Sequence, residues 1–462
     1  MNSTPPVAPA PAPTRHGGPS TAGRPQNLRR VLSLPTLVIF GLTYMAPVTV
    51  FTTYGVVTGI TGGHLPAAYI VALATMLFTA LSYARMSRVI PRAGSAYAYT
   101  QSTFGGHVGF ATGWALMLDY LLLPMVNFLL IGIYMHTQFP AVPAWVFALA
   151  SLLLVLLVNV LGIKSIGRIS GAVVAVSVIM IVVFVALVIN QYTNAHAASL
   201  LAPFSFGDGG LGPIFAGAAV LSLSFLGFDA ISTLSEEAKD PERNIPRAIM
   251  LTTLIGGLIF IAVAWAGAVA HPDWTSFVDP DAAGVELMAG VGGTVLTSIF
   301  VAVYVAGAFG SGLTCQASVT RIIYSMGRDG LLPRRLGLLH RRFSTPVYAT
   351  LVVSAFSLTC LFVDLATAAS VVSFGALAAF SMVNLSVAKH YYIDGRQRGA
   401  RGVFKYLVLP LAGFALTVWL WTSLAPSSLL VGGIWLLIGV GFLALRTRGF
   451  RQAPPRLDFA ED

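Results

Sequence analysis

The sequence predicts an all-α membrane protein of twelve transmembrane helices. Three features carry that expectation: too little charge for a water-facing surface, apolar runs of membrane length along nearly the whole chain, and cations confined to alternate connections. Of 462 residues, 56% are hydrophobic and 10% charged, whereas a soluble domain carries about 25% charged residues because its surface faces water. A hydrocarbon core about 30 Å thick requires roughly 20 apolar residues per helix. Runs of that length place spans at 33–61, 67–88, 108–135, 143–163, 169–191, 212–235, 247–270, 291–320, 347–363, 366–388, 404–424 and 428–446.

A net charge of +10 would suggest nucleic acid as partner of a soluble chain. Its distribution gives a different reason. All 27 Lys and Arg residues fall at a terminus or an even-numbered turn: Arg15 to Arg30, Arg85 to Arg92, Lys164 with Arg168, Lys239 to Arg247, Arg321 to Arg342, Lys389 to Lys405, and Arg446 to Arg456. The odd-numbered connections, 62–66, 136–142, 192–211, 271–290, 364–365 and 425–427, contain none. Cations are retained on the cytoplasmic side during insertion, so both termini are expected in the cytoplasm. Deleting any one span would put several cations outside. The basic balance therefore reports orientation in a lipid bilayer, with no nucleic acid partner.

Residues 1–30 are rich in Pro, Ala and Gly without an apolar run; they read as a disordered cytoplasmic tail, since a signal peptide needs an apolar region and a cleavage site. Residues 451–462 read as a second cytoplasmic tail, leaving 31–450 as the twelve-helix domain. Cys315 and Cys360 both fall in spans and are expected to pack, without a disulfide or metal site.

Irregular backbone is tolerated at membrane depth only where protein or a cavity supplies hydrogen-bond partners. The first span is interrupted by Pro47 among the hydroxyls of Thr49, Thr52 and Thr53. Proline lacks an N–H and obstructs the carbonyl four residues back, and these threonines are expected to satisfy freed backbone groups. A simple proline kink is the alternative. The sixth span carries Gly227 and Asp229 near its middle. Breaks in spans one and six, five helices apart, have the spacing of two inverted five-helix repeats whose discontinuous helices build a midplane site. The repeats would cover about 33–191 and 212–388.

An ionisable side chain at the bilayer centre costs about 2.5–3.5 kcal/mol on insertion scales. Asp119 lies inside the third span and Asp229 inside the sixth, with Glu236 and Glu237 about two turns further towards the cytoplasm. No Lys or Arg lies at comparable depth, so the interior charge is expected to be acidic only. Two roles are open to the aspartates: structural pins bonded to backbone or hydroxyl groups, or groups that meet a cationic substrate or a coupling proton. Glu236 and Glu237 could instead pair with Lys239, Arg243 or Arg247. Trp114, Tyr120, Phe225, Phe228 and Tyr304 are candidate aromatic partners, because a desolvated cation over a ring face gains roughly 2 kcal/mol.

These residues resemble a known family. Pro47-Val-Thr-Val-Phe, Gly63-His-Leu-Pro-Ala-Ala-Tyr, Gly94-Ser-Ala-Tyr, Leu118-Asp-Tyr, Ser224-Phe-Leu-Gly-Phe-Asp-Ala, Leu234-Ser-Glu-Glu and Met326-Gly-Arg-Asp-Gly are similar to segments of the amino acid–polyamine–organocation (APC) superfamily, and within it to bacterial putrescine importers. The similarity runs from about Ser33 to Arg446. It implies a five-plus-five inverted repeat with discontinuous helices 1 and 6 and two extra helices at 404–446. It also implies uptake of a small polyamine by a secondary active transporter in the inner membrane, coupled to the electrochemical gradient, with H+ as the expected coupling ion. Glu237, in the Ser-Glu-Glu segment, is the acid the resemblance implies for polyamine uptake. One departure weakens a dication: where putrescine importers carry an acidic residue just after Val-Phe, this chain has Thr52. The candidate substrate-binding set is Ala46, Pro47, Thr49, Thr52, Asp119, Tyr120, Phe225, Gly227, Asp229, Glu237 and Tyr304.

Moving one positive charge inward gains about 2.3 kcal/mol per 100 mV, which favours import of a cation. The alternative is an amino acid permease, whose substrate carboxylate would rest on N–H groups exposed at the broken helices. Asp119 and Asp229 favour the amine and Thr52 the amino acid. No pore-lining repeat, phosphate-binding loop, zinc-hydrolase motif or nucleophile elbow points to a channel, pump or enzyme, and no cofactor is expected.

Overall fold

The computed structural model describes residues 30–192, 200–205, 210–278, 280, 283–328, 330, 332–340, 342–362, 365–422, 424, 426–449 and 451. The two expected tails therefore lie almost wholly outside the described residues. Among these residues ten helices are long and apolar enough to cross a membrane. Two shorter apolar helices, Val347–Leu361 and Leu429–Leu445, fall where the ninth and twelfth spans are expected.

Both expected breaks are present. The first span is α1 (Leu34–Met45), a 3-10 turn (Pro47–Thr49) and α2 (Val50–Thr61). Between them Ala46 adopts φ 44°, a left-handed conformation that a residue with a Cβ adopts only when its surroundings over-determine it. The next helices are α3 (Leu65–Val89), α4 (Ser95–Phe104), α5 (Gly106–Gln138), α6 (Ala144–Leu161) and α7 (Ile163–Tyr192). The sixth span starts as α8 (Leu211–Leu221) and continues as a 3-10 turn (Ser222–Phe225). It is then interrupted at Gly227, φ 126°, and resumes as a 3-10 segment (Asp229–Leu234).

The rest comprises α9 (Pro241–Ala270), α10 (Ala283–Arg328), α11 (Val347–Ser357), α12 (Leu365–Val387), the short α13 (Ala400–Val403), α14 (Leu409–Thr422) and α15 (Pro426–Arg446). π-Helical turns extend α12 (Ala388–Asp394) and precede α14 (Phe404–Val408).

Two boundaries differ from expectation. Helix α10 starts before residue 291 and is interrupted at Gly293, which has φ 60°. It also runs past residue 320 to Arg328 because Ile322, Ile323 and Met326 keep one face of the extra turns in the core. Helix α4 is absent from the twelve expected spans. It is ten residues long, too short to cross, and packs on α5 with most of its residues buried.

The two broken helices lie side by side. Gly41 on α1 abuts Ile231 beyond the second break, a Cβ there meeting Ile231 Cδ1 at 2.7 Å. Gly217 on α8 abuts Thr61 and Val57 on α2, with Thr61 Cγ2 at 2.3 Å from such a Cβ. Helices α3 and α9 pack closely, as do α5 and α10. Helix α15 is fastened to α5 by Trp114 and Trp435, whose rings stack at 4.9 Å. Each indole N–H donates to the other residue's carbonyl, at 2.8 and 2.7 Å.

Candidate substrate site between the broken helices

The interrupted backbone of the first span is satisfied group by group. Thr43 O accepts from Ala46 N at 3.2 Å and Ala46 O from Thr49 N at 2.8 Å. Met45 O accepts from the Thr49 hydroxyl at 3.3 Å. Tyr44 O accepts from the Ser311 hydroxyl of α10 at 2.8 Å. Of the three threonines expected to do this, Thr49 does. Thr52 instead shares a 2.7 Å hydrogen bond with Tyr304 Oη, and the Thr53 hydroxyl makes no hydrogen bond to the interrupted backbone among the described residues.

At the second break Gly227 has no room for a side chain, since a Cβ would lie 2.5 Å from Tyr44 Cδ1. Its N–H donates to Asp229 Oδ1 at 3.1 Å, and Tyr120 Oη donates to Asp229 Oδ2. The Asp229 carboxylate also faces backbone N–H groups at the start of the resumed segment. This bonding is that of the structural pin, one of the two roles the sequence left open.

A cavity of about 160 Å³ lies between the breaks. Thr49, Thr52, Thr53, Tyr304, Asn127 and Ser224 give it hydroxyl and amide groups, and Leu123, Val126, Leu130, Leu226 and Val372 an apolar wall. Tyr44 lines it too, covers Gly227, and sets its ring 6.1 Å from that of Tyr120. Asp229 and Asp119 lie near Tyr44 but do not line the cavity. Asp119 is 1% exposed, and neither carboxylate oxygen has a hydrogen-bond partner among the described residues.

The candidate residues thus divide. Thr49, Thr52 and Tyr304 line the cavity; Ala46 and Pro47 make the first break. Asp119, Tyr120, Gly227 and Asp229 form a buried group beneath Tyr44. Phe225 packs edge-on against Phe260 at 5.3 Å, and Phe228 packs on Tyr83 and Phe380. Trp114 is bound into the seam with α15, so it is not a partner of a substrate cation.

Glu237 is remote from the cavity and forms a buried ion pair with Arg321 of α10. Glu236 accepts two bonds from Arg328, at 3.0 and 3.1 Å, and one from Ala93 N at 3.2 Å. Among the described residues the cationic partners are thus on α10, not the nearby Lys239, Arg243 or Arg247. The expectation of acid alone in the interior is corrected, because α10 continues as helix and carries Arg321 inward, 6% exposed. Sequence reasoning missed Tyr44, Asn127, Ser224, Ser311 and Arg321. Only Tyr44 had a signal, standing three residues before the proline that opens the helix.

A sequence profile of the amino acid permease family matches residues 36–441. The chain is 42% identical over 440 residues to the low-affinity putrescine importer PlaP of Escherichia coli strain K12, covering 93% of this chain and 96% of that protein. It is 30% identical over 445 residues to the branched-chain amino acid permease BcaP of Lactococcus lactis, covering 90% and 94%. Identity to the methylthioribose transporter of Bacillus subtilis is 28% over 445 residues, covering 91% and 94%. With the match spanning nearly all of its helices, this chain belongs to the amino acid permease family and is a multi-pass membrane transporter.

Proposed function

We propose that this chain imports a small organic cation, putrescine or a related polyamine, across a bacterial inner membrane, driven by protons and membrane potential. Both termini then face the cytoplasm, as the cation distribution requires. The architecture that goes with this reading is twelve helices, with inverted repeats at about 33–191 and 212–388 and extra helices at 404–446. It is supported by spans one, two and three each packing on the span five later, the contact pattern of repeats related by a two-fold axis.

The observation that carries the amine over the amino acid is Asp229. An amino acid substrate needs exposed backbone N–H groups for its carboxylate. The Gly227 N–H already donates to the Asp229 carboxylate, so the protein fills that position with an acid of its own. Size agrees: a cavity of ~150 Å³ holds benzene, about six non-hydrogen atoms, and putrescine has the same number. The Tyr44 and Tyr304 rings and the surrounding hydroxyls suit an ammonium.

Asp119 supplies the remaining chemistry. A buried carboxyl with no donor or counter-charge among the described residues can exchange a proton against a nearby cation, so we assign the coupling proton to it. The second reading, an amino acid substrate, is favoured by one feature: Thr52 gives the cavity wall a hydroxyl, and no carboxylate lines it.

The test is uptake of labelled putrescine into proteoliposomes with an imposed proton gradient and an inside-negative potential, with arginine, ornithine and neutral amino acids as competitors. Saturable uptake that collapses with the gradients is expected. Asp119→Asn is expected to bind putrescine and lose the response to the pH gradient. A variant that keeps the full response removes Asp119 from coupling. Uptake of an amino acid without putrescine flux would replace the first reading by the second.

A further inference from the structure

A second cleft lies away from the broken helices, where α3 ends, α9 begins and the π-helical turn before α14 crosses them. Its volume is about 610 Å³. Arg85, Arg88, Arg247 and Lys405 line it, and none of its lining residues is acidic. Four cations drawn from three separate turns repel one another, and no ion pair is formed by any of them among the described residues.

One wall is rigid. The Arg85 guanidinium donates to Lys405 O at 2.5 Å and lies 5.5 Å over the Tyr406 ring. Tyr406 stacks on Tyr391 at 4.5 Å with 9° between the planes, and Tyr391 Oη donates to Arg85 O at 3.2 Å. Arg88 and Arg247 stand exposed at the rim.

Polarity is graded along the cleft. Arg88 lies at the end of α3 and Arg247 in the second turn of α9, while Leu81, Ala84, Met250 and Leu251 line it one to two turns further from this rim. From Arg247 an exposed apolar stripe continues along α9 through Leu251, Leu254 and Leu258, which are 39%, 42% and 55% exposed. Cationic rim followed by apolar track is the order of a phospholipid, with the phosphodiester outermost and an acyl chain below it. A free phosphate would use only the rim.

We infer that this cleft binds an anionic phospholipid, its phosphate held by Arg88, Arg247 and Lys405 and one acyl chain laid along α9. Basic pockets between helices on the cytoplasmic side select such headgroups. The inference stands independently of the transported substrate.

The test uses delipidated full-length protein in detergent, titrated with phosphatidylglycerol, diphosphatidylglycerol or phosphatidylethanolamine and read by native mass spectrometry. Preferential retention of the anionic lipids is expected. Removing both rim arginines in Arg88→Gln/Arg247→Gln should weaken that retention on the order of tenfold. Arg334→Gln/Arg335→Gln, which removes equal charge outside the cleft, should leave it unchanged. Equal retention of phosphatidylethanolamine, or no loss in the rim variant, overturns the inference. Displacement by inorganic phosphate at matching concentration overturns the lipid in favour of a soluble anion.

Discussion

Glu237 shows how the same acid carries different expectations in sequence and in structure. Read along the chain, it stands beside Lys239 and Arg243, and the family resemblance marks it for polyamine uptake. In the fold its partner is Arg321, and both side chains are almost fully withdrawn from solvent, at 5% and 7% exposure. Removing one partner of a buried pair leaves the other uncompensated, at a cost of about 3–5 kcal/mol, whereas replacing both is often neutral. Glu237→Gln is therefore expected to lower thermal stability clearly, and Glu237→Gln/Arg321→Met to recover most of it. Thermal melts of the purified variants measure this. If the double variant is stable and still fails to transport, Glu237 acts in uptake itself; if transport returns with stability, its role is to hold α10 against the segment after the second break. Arg321 was illegible in the sequence because it sits just past residue 320, where the span was expected to end. Burial of Ile322, Ile323 and Met326, which draws it inward, is a property of the neighbours they meet.

Between residue and fold stands the broken helix. Pro47 and Gly227 could be read directly, because a missing N–H and a missing Cβ are local facts. Which groups repair the breaks could not. Ser311 reaches Tyr44 O across 267 positions of sequence separation. Ser311→Ala should leave that buried carbonyl unpartnered, a loss of about 1–3 kcal/mol, with reduced melting temperature as the readout. Gly227→Ala should be far worse, since it combines a disfavoured φ of 126° with a 2.5 Å approach to the Tyr44 ring. Loss of folded protein in size-exclusion chromatography is expected. A Gly227→Ala protein that folds and transports normally would show that the second break is able to shift without consequence.

Across the molecule, the alternation of basic and cation-free connections makes a direct statement about sidedness. Val278, 91% exposed, belongs to a cation-free connection, and Arg398 to a basic one. Val278→Cys should react with a membrane-impermeant maleimide in intact cells, and Arg398→Cys only after permeabilisation. Background should be low because Cys315 and Cys360 are buried; the reverse pattern would invert the topology. The sequence by itself determined that the chain crosses a membrane many times and which two helices break, because apolar length and Pro or Gly chemistry are written in consecutive residues. Its similarity to transporters was likewise legible in short local segments. Only the tertiary structure decided that Asp229 pins Gly227, that Asp119 has no hydrogen-bond partner among the described residues, that Trp114 belongs to the seam with α15, and that four scattered cations border one cleft. Each of those depends on side chains brought together from distant positions by helix packing, and spacing along a chain does not encode which faces will meet.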